Sequence, residues 1–255
     1  SCGETLDMAE LQEIWESKLE PVYPYRKAGP TVEKINGKLN APAAPKIGVA
    51  KPKVIIPVFP GTNCEYDTAK AFARAGADPE ILVIRNLTPA DVTASCEALV
   101  KAIGESQIVM LPGGFSGGDE PDGSAKFIAS FFRNPAVTEA VRRLLQQRDG
   151  LMLGICNGFQ ALIKLGLVPY GEIIDTDDTC PTLSYNVIGR HQSKIVQTRV
   201  ASNRSPWFAK MNVGDVVNVP ISHGEGRFLC SDELVAKLAE NGQIATQYVD
   251  LNGVP

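Results

Sequence analysis

The run Gly154-Ile155-Cys156-Asn157-Gly158 follows the apolar segment Leu151-Met152-Leu153 and leads into a helical pattern. Small residues on both sides of a cysteine permit the sharp strand-to-helix turn of a nucleophile elbow, which would lift the thiol to the edge of a sheet and against a helix N-terminus that favours negative charge. The same run also fits a tight turn around an inert thiol. A second segment, Ser222-His223-Gly224-Glu225-Gly226, spaces an imidazole and a carboxylate two residues apart. In extended backbone both would point to one face, so that Glu225 could hold one ring nitrogen of His223 while the other takes the thiol proton. A third segment, Leu111-Pro112-Gly113-Gly114-Phe115-Ser116-Gly117-Gly118-Asp119, could bring backbone N–H groups up to a reacting carbonyl. Its rivals are a flexible surface loop and a phosphate loop. The latter is disfavoured because Gly123 is followed by Ser124 and Ala125 instead of Lys and Ser or Thr, and because Asp119, Glu120 and Asp122 would repel phosphate.

Such groups must be held by rigid elements, and from Lys53 onward the sequence alternates strand and helix signals. KVIIPVF is a β-branched run suited to a buried parallel strand, and a helix over about 65–75 closes at Gly76. EILVI and QIVMLPGG read as the next strands. Thr88-Pro89-Ala90-Asp91 opens a helix running to about Ile103, and Asn134-Pro135 opens another reaching Gln147. LMLGI is a fourth strand, with a helix starting near Asn157. This alternation predicts an α/β fold with a doubly wound, mostly parallel sheet, the carboxyl ends of whose strands are where ligands bind.

After Gly166 the pattern changes to short strands (YNVIG, KIVQTRV, DVVNVP, GRFLC) that predict a β-rich extension decorating or extending the main sheet. Ser231-Asp232-Glu233 opens a last helix, and QIATQYV is a final strand. Ahead of the domain, Leu6, Met8, Leu11, Ile14, Trp15 and Leu19 suggest an amphipathic helix that needs something to pack against. Six prolines over 21–52 then suggest an extended, unstructured connector. Residues 1–52 are thus expected to be an appendage and 53–255 the compact domain, cut from a longer chain and truncated at its C-terminus.

Composition narrows the partners. With a net charge of -4 over 255 residues there is no basic excess for a phosphate backbone, so nucleic acid is not expected. No run approaches the roughly 18 apolar residues of a membrane span, and the N-terminus lacks a signal peptide's basic and apolar regions, so a cytoplasmic location and no membrane partner are expected. Six cysteines without CxxC pairs suggest neither a zinc site nor a disulfide framework, and with two histidines a three-histidine metal site is impossible. No metal is expected in this chain. His191, in GRHQSK, lacks the HxE arrangement and is read as a surface or interface residue.

Taken together, GICNGFQ, SHGEGRF, LPGGFSGGD and PGTNCEYD resemble the class I (triad) glutamine amidotransferase domain of phosphoribosylformylglycinamidine synthase. The first two motifs alone indicate a class I glutaminase, and the others narrow the likeness. It covers about 53–255, with 1–52 resembling the tail of the preceding synthetase domain and a connector of a fused form. The resemblance implies a flavodoxin-like fold in which Cys156 attacks the side-chain amide of glutamine, giving a γ-glutamyl thioester and ammonia. His223 would act as base and then acid, with Glu225 orienting it. The N–H groups of Gly114 and Asn157 would hold the oxyanion, and Gln160 would help hold glutamine. Ammonia would pass to a synthetase domain that binds ATP and magnesium and converts formylglycinamide ribonucleotide to the amidine, with no cofactor in this chain. An enzyme of the DJ-1/PfpI type is the enzymatic alternative, disfavoured because those place histidine soon after cysteine, whereas His223 follows Cys156 by 67 positions. A non-catalytic glutamine-binding docking domain is the other, disfavoured by the intact Cys156, His223 and Glu225.

Overall fold

The computed structural model describes residues 5–24, 32–37, 48–115 and 125–255. The second half of the glycine-rich segment, 116–124, and the prolines at 30, 42 and 45 lie outside them. Helix α1 (Met8–Ser17) is capped by the Asp7 carboxylate, which accepts from the Ala9 and Glu10 N–H groups. None of its residues is buried, and Met8 and Trp15 are among its exposed apolar side chains.

Strand β1 (Lys53–Val58) is followed by α2 (Glu65–Arg74), β2 (Asp78–Val83), α3 (Pro89–Glu105), β3 (Ile108–Leu111), α4 (Lys126–Phe132), α5 (Pro135–Gln146), β4 (Leu151–Gly154) and α6 (Asn157–Leu165). The four strands form one parallel sheet in the order β2-β1-β3-β4. This is the flavodoxin-like winding expected of the sequence. β1 and β3 are apolar at successive positions because both sheet faces are covered. Ile55, Val109 and Leu111 pack with α3, α4, α5 and α6, while Val54, Ile56 and Met110 face Ala69 and Phe72 of α2 and Trp207. Thr88 caps α3 by accepting from the Asp91 N–H, and Asn134 caps α5 by accepting from the Ala136 N–H, as the Thr-Pro and Asn-Pro signals predict.

Beyond the four-residue turn α7 (Leu167–Tyr170), the extension contains β5 (Thr182–Ser184), β6 (Gln192–Val200), β7 (Val216–His223), β8 (Arg227–Leu229), α8 (Asp232–Glu240) and β9 (Thr246–Val249). β5 pairs antiparallel with β8, and β6 lies between antiparallel β7 and β9. These sheets decorate the main sheet and do not extend it. The segment YNVIG, expected to be a strand, is instead a turn closed by Gly189 N–H donating to the Asn186 carbonyl at 2.8 Å.

The connector differs from expectation too. Residues 32–37 have no regular secondary structure but are fastened to the domain: Gly37 N–H donates to Ala201 O at 2.7 Å, and Ile35 N–H to Gln247 Oε1 at 2.8 Å. Gln247 Nε2 returns a bond to Glu33 O at 2.9 Å, and buried Arg199 donates to Ile35 O at 2.9 Å and to the Asn36 side chain. Backbone outside regular structure needs partners for its polar groups, and several of those of 33–37 find them on β6, on β9 and at Ala201.

Candidate active site

Cys156 joins β4 to α6 with φ 54° and ψ -110°, outside the allowed regions of most L-residues. The neighbouring packing holds it there. Gly158 N–H donates to Pro112 O at 3.1 Å and Ile155 O at 2.9 Å, drawing the first turn of α6 against the end of β3. The thiol is exposed, at the carboxyl edge of the sheet, as the elbow reading predicts.

The turn after β3 lies beside it. A methyl group on Gly113 would stand 3.4 Å from Cys156 Cβ. Gly114 forms an antiparallel bridge with Thr62, made by Asn63 N–H donating to Gly113 O and Phe115 N–H donating to Gly61 O, each at 2.8 Å. In this pairing the neighbours make the bonds, so the N–H of Gly114 itself points away from the 59–63 loop. Gly114 has φ 136°, and a methyl group there would come within 2.3 Å of Gly61 O. The PGTNCEYD segment thus braces the turn that carries one expected oxyanion donor. The other, Asn157 N–H, is at the first position of α6.

His223 ends β7, opposite Gln192 of β6. Its ring lies over Gly226, where a methyl group would stand 2.2 Å from Cε1. Half-burial pushes its pKa below the ordinary histidine value, and the nearby His191 imidazole adds to this. The group at Nδ1 is the side-chain oxygen of Asn186, 2.9 Å away. Asn186 is thus a partner of this ring that the sequence reading did not single out. β7 stops at His223, and residues 224–226 do not continue the strand alternation. The sequence reading missed Asn186 because YNVIG resembles a strand.

Glu225 is buried, with 8% exposure. Gln160 Nε2 reaches its Oε2 at 3.4 Å and its main-chain oxygen at 3.5 Å, while Gln160 Oε1 accepts from Asn157 Nδ2 at 3.0 Å. Gln160, expected to touch glutamine, therefore links the elbow helix to the histidine-bearing turn. Gly114, Cys156, Asn157, Gln160, His223 and Glu225 all come from three segments meeting in one region. His191 is exposed and shares a 2.9 Å hydrogen bond with Ser222 Oγ. A cleft of about 480 Å³ reaches His223 past Asn186, Lys194, Arg227 and Tyr248. Among the described residues, no helix is long and apolar enough to cross a membrane, and no cluster of three His, Cys, Asp or Glu could hold a metal ion.

The profile of the CobB/CobQ-like glutamine amidotransferase domain matches residues 51–255. The chain belongs to this family. As a member, the amidotransferase domain is similar to phosphoribosylformylglycinamidine synthase subunit PurQ of Methanococcus maripaludis, at 35% identity over 209 residues, which are 80% of this chain and 69% of that one. The same subunit of Aquifex aeolicus is 34% identical over 207 residues, 79% of this chain and 75% of the relative. Among solved structures, PurLQS from Thermotoga maritima matches with a TM-score of 0.55 and 26% identity, covering 78% of this chain and 76% of that one. The domain is thus a glutamine amidotransferase of the PurQ type, and the family match starts two residues before β1.

Proposed function

We propose that this domain releases ammonia from glutamine through Cys156 and His223, for the ATP-dependent conversion of formylglycinamide ribonucleotide to formylglycinamidine ribonucleotide in purine biosynthesis. The backbone of Cys156 at the strand-to-helix turn is the observation that carries the reading. His223 Nε2 takes the thiol proton as Sγ attacks the amide carbon, and the Gly114 and Asn157 N–H groups hold the oxyanion. The imidazolium then gives its proton to the leaving nitrogen. Ammonia departs, and water hydrolyses the γ-glutamyl thioester to glutamate. Buried Glu225 supplies negative charge near the imidazolium, and its bond from Gln160 keeps the turn against the elbow. ATP and magnesium act in a separate synthetase component that consumes the ammonia. The PurQ relatives and the PurLQS likeness support that partner.

The test is to measure glutamate release from glutamine with and without a synthetase component, and formation of the amidine from the ribonucleotide and ATP. Glutamine-dependent amidine formation is expected, and no glutamine cleavage in either condition would overturn the proposal. Two further outcomes follow from the geometry. Gly114→Ala should lower turnover roughly 10²–10³-fold, the effect of losing one oxyanion donor, because its methyl group would displace the turn from Gly61. Steady-state kinetics with a melting curve would read this, and wild-type turnover would contradict it.

The pH profile supplies the second. The base must be neutral to accept the thiol proton, and burial lowers the pKa of His223. If that group sets the acid limb of kcat/KM, the limb therefore lies below the ordinary histidine value, and activity persists as pH falls through the range where an exposed histidine would protonate. A limb at or above pH 6.5 would count against His223 as this base.

A further inference from the structure

Asn186 is buried, with 7% exposure, in the turn between β5 and β6. Its side-chain nitrogen donates to His223 O at 2.7 Å and to Arg190 O at 3.0 Å, and its backbone N–H donates to Gly224 O at 2.8 Å. A carbonyl oxygen can only accept, so two carbonyls on one end of the amide fix that end as NH₂. The other end is then an oxygen, and it faces His223 Nδ1 at 2.9 Å. An oxygen there requires Nδ1 to carry the hydrogen, which leaves the lone pair on Nε2.

We propose that Asn186 is a positioning residue that holds His223 in the Nδ1–H tautomer, so that Nε2 is the nitrogen that takes the Cys156 proton. This rests on the glutaminase reading. The same side chain grips the main-chain oxygen of His223, so it fixes the ring's position and its protonated atom together. Being neutral, it orients the imidazole without making it a stronger base, unlike a carboxylate. The other titratable groups around the ring are His191 just before β6, Lys194 on β6, Glu225 on the turn, Arg227 on β8 and Tyr248 on β9.

The tautomer can be read directly by long-range ¹⁵N–¹H NMR of the whole chain. It has two histidines, and His191→Gln assigns the signals. The wild-type His223 should show a protonated Nδ1 and an unprotonated Nε2 at neutral pH. Asn186→Ala should give mixed tautomers and lower kcat for glutamine cleavage roughly 10–100-fold, as for outer groups that orient a functional imidazole, with KM within about threefold of wild type. Asn186→Asp should raise the acid limb of kcat/KM, because a carboxylate stabilises the imidazolium.

An Nε2–H tautomer in the wild type would overturn the proposal, even if neither variant folds. So would a folded Asn186→Ala protein with unchanged tautomer and kcat, or an acid limb in Asn186→Asp that does not rise. A wild-type Nδ1–H signal in a protein that never cleaves glutamine would sink the glutaminase reading instead, which separates the two failures.

Discussion

Cys156→Ala should abolish glutamine-dependent amidine synthesis while synthesis from added ammonia continues near the wild-type rate. The nucleophile's loss removes the covalent route altogether, so a fall of at least ~10⁴-fold in glutamine-dependent turnover is expected, in keeping with nucleophile deletions in other covalent enzymes. Ammonia bypasses the elbow and enters the reaction where the synthetase component would receive it. Alanine fits the space, because the thiol is exposed and makes no core contact whose removal would leave a cavity. The paired assay, glutamine against ammonium salt with the assembled enzyme, reads both arms. Equal loss of the two activities would contradict the division of labour.

The second large effect is expected at Gly158. A methyl group there would lie 2.0 Å from the Leu111 carbonyl oxygen and 2.6 Å from its carbon. Leu111 cannot yield easily, being fully buried at the end of β3 and paired with Gly154 of β4. Gly158→Ala must therefore push α6 away from β3 or distort the elbow. Overpacking against backbone in this way destabilises by about 3 kcal/mol. At roughly 2–4 °C per kcal/mol for a domain of this size, Tm should fall by roughly 6–12 °C. Turnover should fall with it, because the first turn of α6 sets both the thiol and the Asn157 N–H. Calorimetry and glutamine kinetics on one preparation test this, and an unchanged Tm with unchanged turnover would refute the packing argument.

Much of this architecture is visible in local chemistry. The β-branched runs at β1 and β3, and the Thr88 and Asn134 caps, state their structure within a few residues, because burial on both sheet faces and orphan helix N–H groups impose local demands on composition. The elbow is similarly legible, since small residues must surround a strained cysteine. Helix α4 is not. It begins at Ala125 in a left-handed conformation with no side-chain cap, and its phenylalanines are held by tertiary contact, as where Phe131 meets Phe59 at 5.4 Å between ring centres. The apolar spacing of α1 reveals a helix, but propensity cannot supply the surface it would pack on.

The partners of His223 show the same limit. HxE spacing fixes where two side chains lie along the chain, whereas the contact at Nδ1 comes from Asn186, 37 residues earlier, through the pairing of separate segments. The docking of 32–37 on β6 and β9 also joins residues more than 160 positions apart, beyond any local signal.

The central claim is that Cys156 is a glutamine-specific nucleophile. Incubating the chain, alone and with its synthetase component, with a diazo-ketone analogue of glutamine and then mapping the adduct by peptide mass spectrometry tests it most directly. One adduct on Cys156, suppressed by excess glutamine, is the predicted result. An unmodified Cys156 in both preparations, or label appearing instead on Cys64, the other exposed cysteine among the described residues, would contradict it.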